Sequence, residues 1–150
     1  QKMLIIKTIL CPTDFSEPAR EALNVASDLA QHFGAELRLL HVVPVLPPLP
    51  PDPTYVFELP EYERYLHADA DKNLRTLNAE LSAKSIRVST FVAHGNAAEE
   101  IVRAAETQKA DMIVIATHGA TGWQHLLFGS VAEKVVRLAS CPVLTIRKRY

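Results

Sequence analysis

Asp111-Met-Ile-Val-Ile-Ala116-Thr-His-Gly119 runs from an apolar stretch into a glycine turn. After nine intervening residues, Gly129-Ser130 leads into Val131-Ala-Glu-Lys-Val-Val136. The first part reads as a buried strand and the last as a helix. A glycine-rich connection that leaves a buried strand and ends on a helix N-terminus suits phosphate. Glycine lets the backbone approach an anion closely, and the first helical N–H groups with the helix dipole supply positive potential. Two glycines alone are a weak signal, so the rest of the chain has to carry the reading. Gly122 gives the loop a Gly-Ala-Thr-Gly form.

Outward from this stretch the chain alternates strand and helix. Leu4 to Leu10 reads as a first strand, nearly all apolar, as expected of a strand covered on both faces. Ser16-Glu17-Pro18 opens a helix whose apolar positions Ala22, Leu23, Ala26, Leu29, Ala30 and Phe33 share one face, and Gly34 stops it. Glu36 to Val43 is the second strand. The segment 44–60 holds seven of the ten prolines and is expected to be an irregular insertion over the sheet edge. A helix follows from Glu61 to Ala83, then a third strand from Arg87 to Ala93. Asn96-Ala-Ala-Glu99 has the form of a capping box, with Ile101, Val102 and Ala105 inward. Asp111 to Ala116 and Val143 to Arg147 are the fourth and fifth strands.

Five strands with a helix between each consecutive pair require a parallel sheet with right-handed crossovers, here in one domain over 1–150. This pattern does not fix the strand order. The 150 residues, 48% hydrophobic with a net charge of −1, suit a globular chain and give no basic excess for nucleic acid. The longest apolar runs are too short to span a bilayer. No signal peptide is read from Met3-Leu-Ile-Ile, so the cytoplasm is the expected location. Cys11 and Cys141 fall at opposite ends of such a sheet, so a disulfide is not expected and both are read as reduced structural residues.

Several motifs converge. Ile9-Leu-Cys-Pro-Thr-Asp-Phe-Ser16 carries Pro12-Thr-Asp14 after the first strand, Leu39-Leu-His-Val42 closes the second, and His94-Gly95 precedes the third helix. With the Gly119 to Ile146 segment, these resemble the nucleotide-binding branch of the universal stress protein family over nearly the whole chain. The resemblance implies an open, Rossmann-like five-stranded parallel sheet of order 3-2-1-4-5 with helices on both faces. Strands 1 and 4 then lie side by side, and ligands bind at the topological switch point between their C-terminal ends.

The resemblance also implies a ligand, ATP, alone or with magnesium. Asp14 is carried over as the ribose contact and Val42 as the adenine contact. Without that resemblance Asp14 is equally a turn or cap residue, and Val42 is ordinary core. Gly119, Gly129 and Ser130 match the phosphate positions of the family pattern with the right spacing. Ala116 stands where that pattern has its first glycine. Pro12, Ile115 and Val131 complete the carried-over set. Ser130-Val-Ala-Glu133 is also a capping box, which would engage the Ser130 hydroxyl with the Glu133 N–H.

Other residues are read blandly. His118 and His125 flank the loop, but with no third ligand nearby they are taken as structural or surface residues. His41 reads as a satisfied buried histidine, and His32, His67 and His94 as forming no cluster. Trp123 and Phe128 look like anchors for the loop. Neither a Gly-x-Ser-x-Gly elbow nor a P-loop is present, so a hydrolase is disfavoured and at most a slow ATPase is expected. Family members of this type act as stress-linked regulatory or signalling proteins, usually as dimers. The expected partners are therefore an adenine nucleotide, an unnamed protein, and a second copy paired through the edge strand 143–147. The alternative is an interaction protein of the same fold that does not bind nucleotide.

Overall fold

Alternation of strand and helix builds a layered sheet. The computed structural model describes residues 3–48, 59–119 and 128–147. In chain order the elements are β1 (Thr8–Pro12), α1 (Glu17–Phe33), β2 (Glu36–Val43), α2 (Leu59–Ser82), β3 (Val88–His94), α3 (Ala97–Thr107), β4 (Met112–Ala116), α4 (Ser130–Leu138) and β5 (Val143–Ile146). The five strands are parallel in the order β3-β2-β1-β4-β5, as the family resemblance implied.

Period-two alternation along each strand splits the core in two. Ile9, Cys11, Leu37, Leu39 and Val114 face α1 and α2, meeting Leu23, Ala26, Leu74 and Leu77. Leu10, Leu40, Ile113 and Ile115 face the other way onto α3 and α4, meeting Ile101, Ala105, Ala132 and Val135. Both faces are covered, and the central strands are apolar at nearly every position for that reason.

β1 departs from the expected Leu4 to Leu10. It starts at Thr8, and Met3, Leu4 and Ile5 are exposed by 79%, 66% and 57%. The neighbouring strands set this limit. β2 begins at Glu36, whose N–H donates to the Lys7 carbonyl, and the Asp111 carboxylate accepts from the N–H groups of Lys7 and Thr8. Before Lys7 there is no neighbour left to pair with, so apolar composition alone makes no strand.

α1 is capped as expected: the Ser16 hydroxyl accepts from Ala19 N–H at 3.3 Å, and Gly34 ends the helix at φ 64°. α2 begins at Leu59, so Pro60 lies in its first turn, where the missing N–H costs nothing. The part of the proline-rich segment from 49 to 58 lies outside the described residues, and Pro44 to Pro48 forms no helix or strand. Asn96 caps α3 by accepting from Glu99 N–H at 3.2 Å.

α4 is capped differently from expectation. Gly129 is the N-cap, no side chain caps the helix, and Ser130 is its first residue. The Gly129 N–H donates to Thr117 O at 2.6 Å, and the Gly129 carbonyl accepts from Glu133 N–H at 3.0 Å. This anchoring of Gly129 pulls the helix start one residue forward, and the Ser130–Glu133 capping box does not form. The Glu133 carboxylate pairs with Arg137 instead.

Both cysteines are free thiols. Burial pushes the Cys11 thiol up to about 12, so the thiolate that would react is suppressed.

Candidate functional site

The crevice follows from where β1 and β4 stop pairing. Their register runs through Ile9 opposite Met112 and Leu10 opposite Ile113. Past that pair the strands part: Pro12 has no N–H to give, and Thr13 N–H donates to Leu40 O, on the β2 side. The opening is a cavity of about 620 Å³, within the range of small-ligand sites. It lies at the C-terminal ends of the strands where the order reverses.

The exit of β1 is held by local bonds. Thr13 Oγ1 accepts from Phe15 N–H and Asp14 Oδ1 from Ser16 N–H, each at 3.0 Å. These turns hold Phe15 at φ 64°, a left-handed conformation that a bulky residue adopts only when its surroundings enforce it. The Phe15 ring packs on His41 with centroids 4.7 Å apart. His41 Nδ1 carries a proton and donates to Thr13 O at 2.8 Å, so this half-buried histidine has the structural partner expected of it. Together these contacts tie the β1 exit to β2 and set the direction of Asp14.

The opposite wall is the β4 exit and the start of α4. The N–H groups of Ser130, Val131 and Ala132 have no intrahelical acceptors, as at any helix start, and no side chain caps them. They and the helix dipole make this wall an anion-attracting surface. Glycine leaves close space on both sides of it. A β-carbon on Gly119 would stand 2.7 Å from Asp14 Oδ2, and one on Gly129 would stand 3.1 Å from Thr117 O.

All nine residues expected at a ligand site line this one cavity. Pro12 and Asp14 come from β1 and its exit, Val42 from β2, and Ile115, Ala116 and Gly119 from β4 and its exit. Gly129, Ser130 and Val131 come from the α4 start. The sequence reading missed Thr13, Thr117, Ala97 and Ile101, which also line it. Thr13 and Thr117 are buried polar residues just past the ends of two apolar central strands, a signal visible in the chain. Ala97 and Ile101 reach the site because α3 folds back over the end of β2, which no local pattern reveals.

The histidines divide differently from their spacing. His118 lines the cavity, and its Nδ1 lies 3.0 Å from Thr117 Oγ1. His67 and His94 do meet: Nδ1 of the first lies 3.3 Å from Nε2 of the second, with near-parallel rings. They are 27 residues apart in sequence, so no spacing rule could pair them. His125, Gly122 and Trp123 lie outside the described residues. Among the described residues no group of three or more metal-ligating side chains occurs, and no helix is long and apolar enough to cross a membrane.

This arrangement has relatives. The model of the Universal stress protein family matches residues 6–147. The universal stress protein MJ0531 of Methanocaldococcus jannaschii is 36% identical over 144 residues, covering 96% of this chain and 84% of that protein. The solved structure of MJ0577, from the same organism, superimposes with a TM-score of 0.83 at 29% identity, covering 97% of this chain and 99% of that one. A universal stress protein solved in complex with cAMP shares the fold, with a TM-score of 0.65 at 23% identity over 93% of this chain and 95% of that one. By the match of nearly its full length and by the architecture of its sheet, the chain belongs to the universal stress protein family.

Proposed function

We propose that this chain is an ATP-binding regulatory protein of the stress response, with the nucleotide lodged in the cavity between β1 and β4. One observation carries the reading: nine residues drawn from four separate segments line a single cavity of nucleotide size. Adenine sits beside Val42, where the backbone offers hydrogen bonds to its edge. The ribose hydroxyls donate to the Asp14 carboxylate. The phosphates lie over Gly119 and the start of α4, where Ser130 is exposed and uninvolved in a cap. That a relative of the same fold was solved with cAMP supports an adenine nucleotide as the class of ligand.

The site is built for holding and not for transfer. Among the described lining residues no lysine or arginine is present to neutralise charge on a transferred phosphoryl group. Nucleotide occupancy would change what a protein partner meets on this face, in a cytoplasmic setting and as a homodimer. Magnesium, if it accompanies ATP, would add phosphate counter-charge.

Two measurements test this. Denaturing the purified protein and chromatographing the supernatant shows whether an adenine nucleotide is carried. Calorimetric titration with ATP should give binding that Asp14→Ala weakens by about 1–3 kcal/mol, the worth of a hydrogen bond to a charged group. No ATP binding by the parent chain would favour the non-nucleotide interaction protein. Turnover of ATP in excess of protein would make it an ATPase.

A further inference from the structure

His118 Nε2 is closed off from solvent and has no hydrogen-bond partner, although the residue lines the cavity. A buried ring nitrogen left unpaired costs roughly 1–3 kcal/mol, a cost that a ligand acceptor would remove. Its position is at the phosphate end. Its Cα lies 3.7 Å from where a β-carbon on Gly129 would be, hard against the start of α4.

The charge balance at this end is unusual for a phosphate site. From Ala116 to Val131 the chain contains no lysine and no arginine. Proteins ordinarily meet several phosphate charges with those side chains. Here the fixed positive potential is that of one helix N-terminus, worth about half a charge, opposite the carboxylate of Asp14. The titratable side chains left in the segment are His118 and His125.

We propose that His118 is a proton-dependent clamp on the phosphates: its imidazolium donates from Nε2 to a phosphate oxygen, so nucleotide binding takes up a proton and strengthens as pH falls. This rests on the nucleotide reading above and adds regulation to it. The contact to Thr117 Oγ1 fits, because Nδ1–H donates to that hydroxyl in the charged ring and leaves Nε2–H for the ligand. The surroundings carry few competing charges. The β1 exit offers the Asp14 carboxylate, and His41 on β2 is committed to Thr13 O. On α4, Glu133 pairs with Arg137 and Lys134 with Glu99 of α3, while Glu100 of α3 pairs with Arg103. Arg147 follows β5, and His125 lies outside the described residues.

The test is calorimetry with ATP and with adenosine, in a chelator so that magnesium supplies no counter-charge. Titrations run at about pH 6 and about pH 8, in buffers of different ionisation heat, bracket the histidine range. ATP affinity should rise about tenfold toward the lower pH beyond any change seen in His118→Gln, the equivalent of one pKa unit on ligation. The variant also subtracts the titration of ATP itself. Parent protein should take up protons with ATP and not with adenosine. His118→Gln should lose the uptake while keeping adenosine affinity, and His125→Gln should behave as the parent. A His118→Gln profile parallel to that of the parent overturns the clamp and leaves nucleotide binding standing. A flattened profile in His125→Gln assigns the proton to the other ring and also overturns it. Failure to bind both ATP and adenosine removes the nucleotide reading, and the clamp with it. Should His118→Gln not fold, NMR titration of the His118 ring in the parent decides: a ring protonated with ATP but not with adenosine upholds the clamp, and one in the same protonation state with either ligand overturns it.

Discussion

Asp14 and Gly119 stand so close that a β-carbon on the glycine would be 2.7 Å from the Asp14 Oδ2 atom. The two residues belong to opposite walls of the cleft, one from the exit of β1 and the other from the exit of β4. Gly119 is therefore small because a carboxylate occupies the space beside it.

Gly119→Ala should push that carboxylate aside. Asp14 is exposed, but its carboxylate accepts from Ser16 N–H in the turn before α1, so displacing it should also weaken that bond and cost the fold about 1 kcal/mol. ATP binding by calorimetry should fall about as far as in Asp14→Ala, by 1–3 kcal/mol for a lost charge-assisted bond, roughly. Unchanged affinity would remove the Asp14 carboxylate from the ribose position.

Gly129→Val should be harsher, because its neighbours are backbone atoms that cannot swing away. Its β-carbon would meet Thr117 O at 3.1 Å and His118 Cα at 3.7 Å. The Gly129 N–H also holds Thr117 O at 2.6 Å, so crowding here disturbs the bond that places α4. A stability loss of about 1–3 kcal/mol in urea is expected, as for overpacking elsewhere. ATP affinity should drop further than in Gly119→Ala.

Glu36, at the other end of the sheet, gives a pH-dependent prediction. The Ser89 hydroxyl above all, with help from Arg38 and Arg87, holds its carboxyl below the usual glutamate range. A depressed folded value means that this carboxylate stabilises the fold above the ordinary unfolded value of about 4.3. That stability is lost as pH falls through the folded value. Ser89→Ala should cost about 1 kcal/mol at neutral pH, and the gap to the parent should narrow below about pH 4. A gap independent of pH in urea titrations would show that the hydroxyl contributes by packing alone.

β5 is the last strand of the sheet on the β4 side, and among the described residues no strand pairs with its outer edge. The carbonyls of Pro142 and Ile146 accept from Ile113 and Thr117 of the β4 side. Alternation then turns the N–H and carbonyl of Val143 and Thr145 outward. Leu144, Val136 and Leu138 nearby are exposed by 38%, 45% and 43%, an apolar margin that a second copy would cover. Light scattering should give twice the 16.6 kDa chain mass. Thr145→Pro removes an outward donor without touching the β4 ladder, so it should return the monomer mass. A dimer that survives it uses another surface.

Much of this architecture was legible in the chain, and the exceptions share a cause. Ser16 and Gly34 bound α1, and Asn96 starts α3, because caps are local chemistry between residues a few positions apart. Strand order came only from resemblance, since alternation of elements leaves it open. β1 was misplaced because its start depends on Glu36 and Asp111, far away in sequence. The α4 cap was misplaced because Thr117 O, and not the Ser130 hydroxyl, fixes where the helix begins. At the cavity, the glycine spacing pointed to the phosphate wall, whereas Ala97 and Ile101 depend on how α3 folds over β2.

The brief register between β1 and β4 divides the sheet into two leaves, β3-β2-β1 and β4-β5, joined along a seam that ends at Leu10 and Ile113. The mouth of the cleft lies just beyond the last stitch. Whatever occupies it touches both leaves at once, Asp14 and Val42 on one and Gly119 and Gly129 on the other. A ligand of the kind proposed would therefore bridge the two sides, adding contacts across the seam at the point where the β1–β4 ladder has run out.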